Sequence, residues 1–371
     1  MIQQGRALHK FLVAVVVGVA VPFKRLLHAA EVRIHVLQQW ELHEWARVQF
    51  RSGLAAVGLF FLWASSGRLA ESELAQLKTT EGVTTKAAAD EFTVVAYNIG
   101  YLSGLTNNQA VTRDESLYRQ NLETAIAALQ TVNPDILALQ EIDLDARRSF
   151  RVNQVEALAN ALAYPQQAIA VNWDKRYVPF PYWPPTAHFG EILSGQAILS
   201  QFSLITHERL VLDRVPGNPF YYNALYLDRL AQVTTVQIGE RSLVIINLHL
   251  EAFDAPTRQR QTEFVLQLAE TYGQQQPVLL LGDFNSAVNR EAEGEPRSIA
   301  TMLESSTVAV AVPPEQLVQP EQLTFPSDEP QYKLDYVFYT PDSLEVLDVQ
   351  VLTAAAQASD HLPVVVRLRF R

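Results

Sequence analysis

Short apolar runs, each closed by a polar residue, recur along most of the chain. Those near 92–97, 136–140, 196–200, 230–238, 243–248, 277–281, 335–339 and 363–369 are too short for helices and rich in Val, Ile and Leu, so they read as buried strands. Between them, stretches near 118–132, 152–163 and 257–273 repeat apolar residues at helical spacing. Leu122, Ile126 and Leu129 form one such stripe, and the helix they predict stops before Asn133-Pro134. Strands mixed with helices predict an α/β domain over 91–371, with the pattern alone open between one sheet and two.

The amino-terminal part has a different pattern. An apolar stretch at 11–23, flanked by Lys10 and Lys24-Arg25, falls short of the roughly 20 residues a spanning helix needs. A second, at 54–64, follows Arg51 and precedes Ser65-Ser66-Gly67, the basic, apolar, small-residue order of a secretory signal. Residues 1–66 are expected to form a signal or membrane-anchor region. Three arrangements suit them: a signal whose true start is Val48, with 1–47 an extension from the gene assignment, a membrane hairpin, or two amphipathic helices. Residues 67–90, rich in Ala, Thr, Glu and Lys and without aromatics, read as a linker. The expectation is a domain exported or membrane-tethered, outside the cytoplasm.

Composition narrows the chemistry. Cysteine is absent, which excludes disulfides, thiol catalysis, cysteine zinc sites and a lipoprotein anchor. The net charge is −11, while residues 1–50 hold more basic than acidic side chains, so the main domain is the acidic part. Affinity for duplex phosphate comes largely from Lys and Arg, which tilts the reading away from a long polyanion.

The polar residues that close the apolar runs carry the candidate chemistry. Asp283 and Asn285 follow the run ending in Gly282, two positions apart and so on one side of the strand's end, where ligands commonly bind α/β sheets. Asn98, Glu141, His249 and Asp335 sit at similar boundaries, and Asp360-His361 precedes the last run. Any one of these suits a turn or a core hydrogen bond. Converging at one sheet edge, they describe a metal and phosphate site.

The ordered set Tyr97-Asn98, Leu139-Gln140-Glu141, Asn247-Leu248-His249-Leu250, Gly282-Asp283-Phe284-Asn285, Leu334-Asp335-Tyr336 and Ser359-Asp360-His361 resembles the endonuclease/exonuclease/phosphatase superfamily, the DNase I-like metal-dependent phosphodiesterases. This resemblance implies a four-layer α/β sandwich, two packed mixed sheets flanked by helices, with the site at one end. It implies Mg²⁺, or Mn²⁺ in its place, on Glu141 with Asn98 and Asp360 completing the site. Asp283 then lies beside the attacking water, Asn285 binds phosphate or holds the nucleophile, Asp335 orients His361 on the scissile phosphate, and His249 is the candidate general acid. Arg229 is open between a hydrogen bond in the site and a surface ion pair.

Two aromatic and proline-rich stretches, 173–189 and 219–226, are expected in loops or edges. They read either as packing for a rigid loop or as a substrate-facing wall that includes Tyr182 and Trp183, since Trp and Tyr suit a surface with an apolar and a wet side. His249 resembles the DNase I and sphingomyelinase branches more than the abasic-site endonucleases or inositol-polyphosphate 5-phosphatases. The substrate expected is a phosphodiester, a lipid headgroup or small molecule first. A nucleic acid is the alternative, and a silent binding module on the same fold the second. Membrane association is expected through the amino-terminal region, and no protein partner is inferred.

Overall fold

A computed structural model describes residues 2–294 and 297–371, and divides them into two compact units, one up to Trp63 and one from Ala64 onward. The first is part of a single helix, α1 (Ile2–Ser65), and its segment His28–Ser65 is long and apolar enough to cross a membrane by length and composition. One unbroken helix replaces the hairpin or helix pair that the two apolar stretches suggested.

The second unit contains α2 (Glu115–Val132), α3 (Gln154–Ala161), α4 (Phe220–Leu225), α5 (Ala255–Gly273) and α6 (Ser298–Leu303). Its strands are β1 (Ala75–Thr79), β2 (Glu91–Asn98), β3 (Ile136–Asp143), β4 (Gln166–Val178), β5 (Gly190–Ser200), β6 (Ser203–Val211), β7 (Leu230–Ile238), β8 (Arg241–His249), β9 (Val278–Asp283), β10 (Ala309–Val310), β11 (Asp335–Tyr339), β12 (Leu344–Val351) and β13 (Val364–Phe370). They form two sheets, ordered β1-β4-β5-β3-β2-β13-β12 and β10-β11-β9-β8-β7-β6. Each sheet is antiparallel except for one parallel pair, β2 with β3 and β8 with β9.

Each parallel pair is joined by a helix, because parallel neighbours need a crossover. For β2 and β3 it is α2, which ends at Asn133 in the left-handed conformation before Pro134. For β8 and β9 it is α5, which begins where the Asp254 side chain accepts from Thr257 N at 2.9 Å. Strand alternation divides the apolar side chains between layers. Phe92, Val94 and Ala96 of β2 meet Ile245, Leu279 and Leu281 of the other sheet, while Val95 and Tyr97 face Leu129 of α2 and Leu158 of α3. Val265 and Ala269 of α5 cover the second sheet's outer face, completing four layers.

The segment 67–90 is not a free linker. Asp174 Oδ2 accepts from the backbone nitrogens of Arg68 and Leu69 at 2.6 and 2.8 Å, and β1 then pairs antiparallel with β4 in the register Ala75↔Ala170. The aromatic stretch beginning at Trp173 is also strand as far as Val178, so proline confines only its later part to a loop.

Candidate active site

Both parallel pairs point their carboxyl ends at the same rim of the sandwich, which is where the candidate residues lie. In the second sheet His249 pairs with Asp283, and Asp283 with Asp335, so one rung across β8, β9 and β11 carries all three on one side. Gly282 makes this approach possible. Its φ is +131° and a Cβ there would lie 2.1 Å from Leu248 O, closer than any side chain tolerates. In the first sheet β3 is irregular between Leu139 and Ile142, and Glu141 adopts φ 51°, which turns its carboxylate out of the ladder into the cleft.

Asp283 is held on several sides. Asn98 Nδ2 donates to its Oδ2 at 2.9 Å, Asn285 N to its Oδ1 at 2.8 Å, and His361 Nε2 stands 3.9 Å away. Burial pushes its carboxyl up to about 6, with His361 pulling the other way. Behind His361, Asp335 Oδ2 accepts from Nδ1 at 2.8 Å and from Thr324 Oγ1 at 2.6 Å. Burial opposes a charge on His361, but Asp335 and Asp283 outweigh it and hold the imidazole well above its ordinary range, so it is a cation.

His249 is the opposite case. Arg229 Nη1 donates to its Nε2 at 2.5 Å, and its Nδ1 has no hydrogen-bond partner among the described residues. Burial, then Arg229 and His361, push its pKa well below the ordinary value, so this imidazole is neutral. A neutral Nε2 that already accepts from arginine has no proton to give, which disagrees with a general-acid role. Arg229 itself is buried, with Nε 3.7 Å from Glu251 Oε2, so the surface ion pair is excluded.

The expected metal residues separate. Glu141 and Asp360 come together through Asn107, whose Nδ2 donates to Glu141 Oε2 at 2.9 Å and to Asp360 Oδ2 at 3.2 Å. Asn98 does not join them: its nitrogen is on Asp283 and its oxygen accepts from Gly100 N at 3.1 Å. Burial, with Asp360 adding to it, raises the Glu141 carboxyl to about 7, the mark of carboxylates short of positive charge. Two carboxylates with an amide between them suit a hard cation that prefers oxygen. Asp283, Asp335 and His361 also bring ligand atoms within 4.8 Å of one another, yet their polar atoms are largely spent on each other and on Thr324, Asn98 and Asn285.

A lattice of buried amides braces the rim. Gln140 Nε2 donates to Asn247 Oδ1 at 2.6 Å, Asn247 Nδ2 to Gln232 Oε1 at 3.0 Å, and Gln232 Nε2 to Ala168 O at 3.0 Å, crossing between the sheets directly beneath Glu141 and His249.

Above this floor opens a cleft of about 830 Å³ whose walls are mainly aromatic. Trp173 stands edge-on to Phe189 at 6.1 Å and Tyr226 stacks on Tyr222 at 4.8 Å. The Arg148 guanidinium, paired with Asp143, lies 3.4 Å from the Tyr101 ring centre. Tyr182, Tyr221 and Phe253 form part of the lining while remaining largely exposed. Trp183 is 77% exposed and does not line the cleft, so the wall reading fails for it at this site. Asn107, Thr324, Tyr101 and Phe253 escaped the sequence reading, because none closes an apolar run.

The family model of the Endonuclease/Exonuclease/phosphatase family matches residues 96–361, from just before Asn98 to His361. The chain belongs to this family. Family members are hydrolases of phosphoesters and generally metal-dependent, and the mixed two-sheet sandwich is theirs. Among solved structures, an endonuclease/exonuclease/phosphatase from Beutenbergia cavernae is 21% identical at a TM-score of 0.55, covering 76% of this chain and 72% of that one. The human Nocturnin catalytic domain with bound sulfate is 19% identical at 0.53, covering 81% and 98%. A humanized D. rerio TDP2 is 16% identical at 0.51, covering 76% and 100%. A UPF0294 protein of Vibrio cholerae is 31% identical over 129 residues, which span 35% of this chain and 41% of that relative.

Proposed function

We propose that this family member is a metal-assisted phosphodiesterase acting on substrates with a large apolar or aromatic body, a lipid phosphodiester first among them. The observation that carries the reading is the cleft: the polar cluster forms its floor and aromatic rings most of its wall. An apolar wall leaves a small polar diester without contacts and gives an acyl or aromatic substrate many.

In this scheme Asp283, poised at about 6, takes the proton of the attacking water. His361, cationic through Asp335, donates from Nε2 to the phosphate and passes that proton to the leaving oxygen as its bond to phosphorus breaks. Asn285, its amide nitrogen on Leu250 O, keeps its oxygen for the water or the phosphate. Arg229 lies at the cleft wall as a second fixed positive charge and holds His249 as a neutral ring. Glu141 and Asp360 would hold Mg²⁺ or Mn²⁺, which when bound would offset charge on the phosphate oxygens.

Tethering through α1, with the catalytic unit outside the cytoplasm, would keep it beside such a substrate, and the length and apolar character of His28–Ser65 support the tether. A nuclease is the second reading, favoured by the same rings because they stack bases and disfavoured by the acidic charge. The test compares bis(p-nitrophenyl) phosphate, sphingomyelin or phosphatidylinositol in mixed micelles, and single-stranded DNA, each with Mg²⁺ and with EDTA. The proposal expects the micellar lipid to be hydrolysed best and EDTA to stop all turnover. Turnover of DNA alone, falling steeply with salt, would replace it with the nuclease.

A further inference from the structure

We infer that Asn107 is a ligand of the divalent cation, supplied by a loop in the place that Asn98 leaves; the inference rests on the reading above that Glu141 and Asp360 hold the ion. Its Nδ2 touches both carboxylates, 2.9 Å from Glu141 Oε2 and 3.3 and 3.2 Å from the two oxygens of Asp360. The atom between two acids marks where a cation has most to gain. An amide turned end for end there presents an oxygen of the same size and reach, and Asn carbonyl oxygens are ordinary ligands of hard divalent cations.

The backbone is arranged to bring this side chain in. Gly100 has φ +52°, and a Cβ on it would sit 2.7 Å from Asp360 Oδ1 and 2.8 Å from Ser359 Oγ, so a larger residue would displace the carboxylate that Asn107 touches. Gly104, also at positive φ, forms a parallel bridge with Ser359, next to Asp360, while its carbonyl accepts from Asn107 N at 3.0 Å. Thr106 is gripped by Arg113, whose Nε donates to the threonine hydroxyl at 2.7 Å. The loop is thus fastened just ahead of its asparagine, at Gly104 and Thr106, and to the connection that carries Asp360.

A competing role for Asn107 is to screen Glu141 and Asp360 from each other. The two roles differ in sign. As a ligand, its loss weakens cation binding, and aspartate, which keeps an oxygen in place, preserves it. As a screen, its loss frees both carboxylates and tightens binding.

The experiment titrates Mn²⁺ into the full-length protein in detergent, read by the loss of the free-ion electron paramagnetic resonance signal and by calorimetry, with melting curves to verify folding. The wild type should bind one ion, Asn107→Leu should bind about 10- to 100-fold more weakly, and Asn107→Asp at least as tightly as the wild type. Unchanged or tighter binding by Asn107→Leu overturns the inference, as does weakened binding by Asn107→Asp. Glu141→Gln separates the two claims. A wild type that binds no Mn²⁺, or binds it as well after Glu141→Gln, defeats the Glu141–Asp360 site itself. Should Asn107→Leu not fold, Asn107→Asp and Asn107→Ser still decide: the first must retain the ion and the second, with a shorter reach, must weaken it.

Discussion

Asp335 is fully buried, yet it governs the charge of the cleft. Its Oδ2 carries both the His361 ring and the Thr324 hydroxyl, so Asp335→Asn should keep the shape and lose most of what keeps the imidazole charged. The expected result is a basic limb of the kcat/KM profile displaced to lower pH. Asp283→Asn and His361→Gln should each lower kcat on the order of 10²- to 10⁴-fold while circular dichroism is unchanged. His249→Ala tests the neutral ring: a much smaller loss than either is expected, because no proton is drawn from it. The same groups fix how stability depends on pH. Burial raises Glu141 to about 7 and Asp283 to about 6, above their unfolded values, and His361 is raised as well. At these three groups the folded state binds protons more tightly than the unfolded chain, and their contributions fade as pH rises through that range. His249, held neutral, has the opposite sign and adds stability as pH rises through the ordinary histidine range. Melting temperature in EDTA between pH 5 and 8 should therefore fall more steeply in His249→Ala than in the wild type, and equal slopes would refute the assigned shifts.

At the scale of elements, the legible parts were strands inside the two sheets. β2, β3, β8, β9, β11 and β13 read as apolar runs, and their polar ends led directly to Asn98, Glu141, His249, Asp283, Asp335 and His361. β1, β6 and β12 did not. β1 and β12 are the edges of the first sheet and β6 is an edge of the second, where solvent allows Lys78, His207, Glu208 and Asp348 to interrupt the pattern. β4 was hidden for another reason: Gln167 and Asn172 lie buried within it. Asn107 and Thr324 come from loops without a period, and only the folded chain brings them to the site. Strand contact also sets the tolerance of the rim. Gly282→Ala should destabilise by at least about 3 kcal/mol, the upper end of the usual cost of a strained residue, since it adds a backbone clash to the positive φ. A denaturant midpoint close to the wild type would show that β8 and β9 can separate there, and the rung geometry would need revision.

On the scale of the whole molecule, the aromatic cleft divides substrates by what surrounds the phosphate. Tyr182→Ser and Phe253→Ser remove rings that are 74% and 82% exposed, outside the reacting cluster. Binding energy lost there should lower kcat/KM on micellar lipid well beyond the change on bis(p-nitrophenyl) phosphate; equal losses on both would mark the rings as structural. The buried amides beneath the rim have a consequence of a different kind. Separating the sheets breaks the Gln140–Asn247 and Gln232–Ala168 hydrogen bonds that cross between them, at about 1–3 kcal/mol for each buried group left unpaired. Partial opening therefore has little to recommend it, and the sandwich should yield as one cooperative unit. In native-state hydrogen exchange, the backbone amides of β3 and β8 should share one opening free energy although they belong to different sheets, and Asn247→Leu should split them into two.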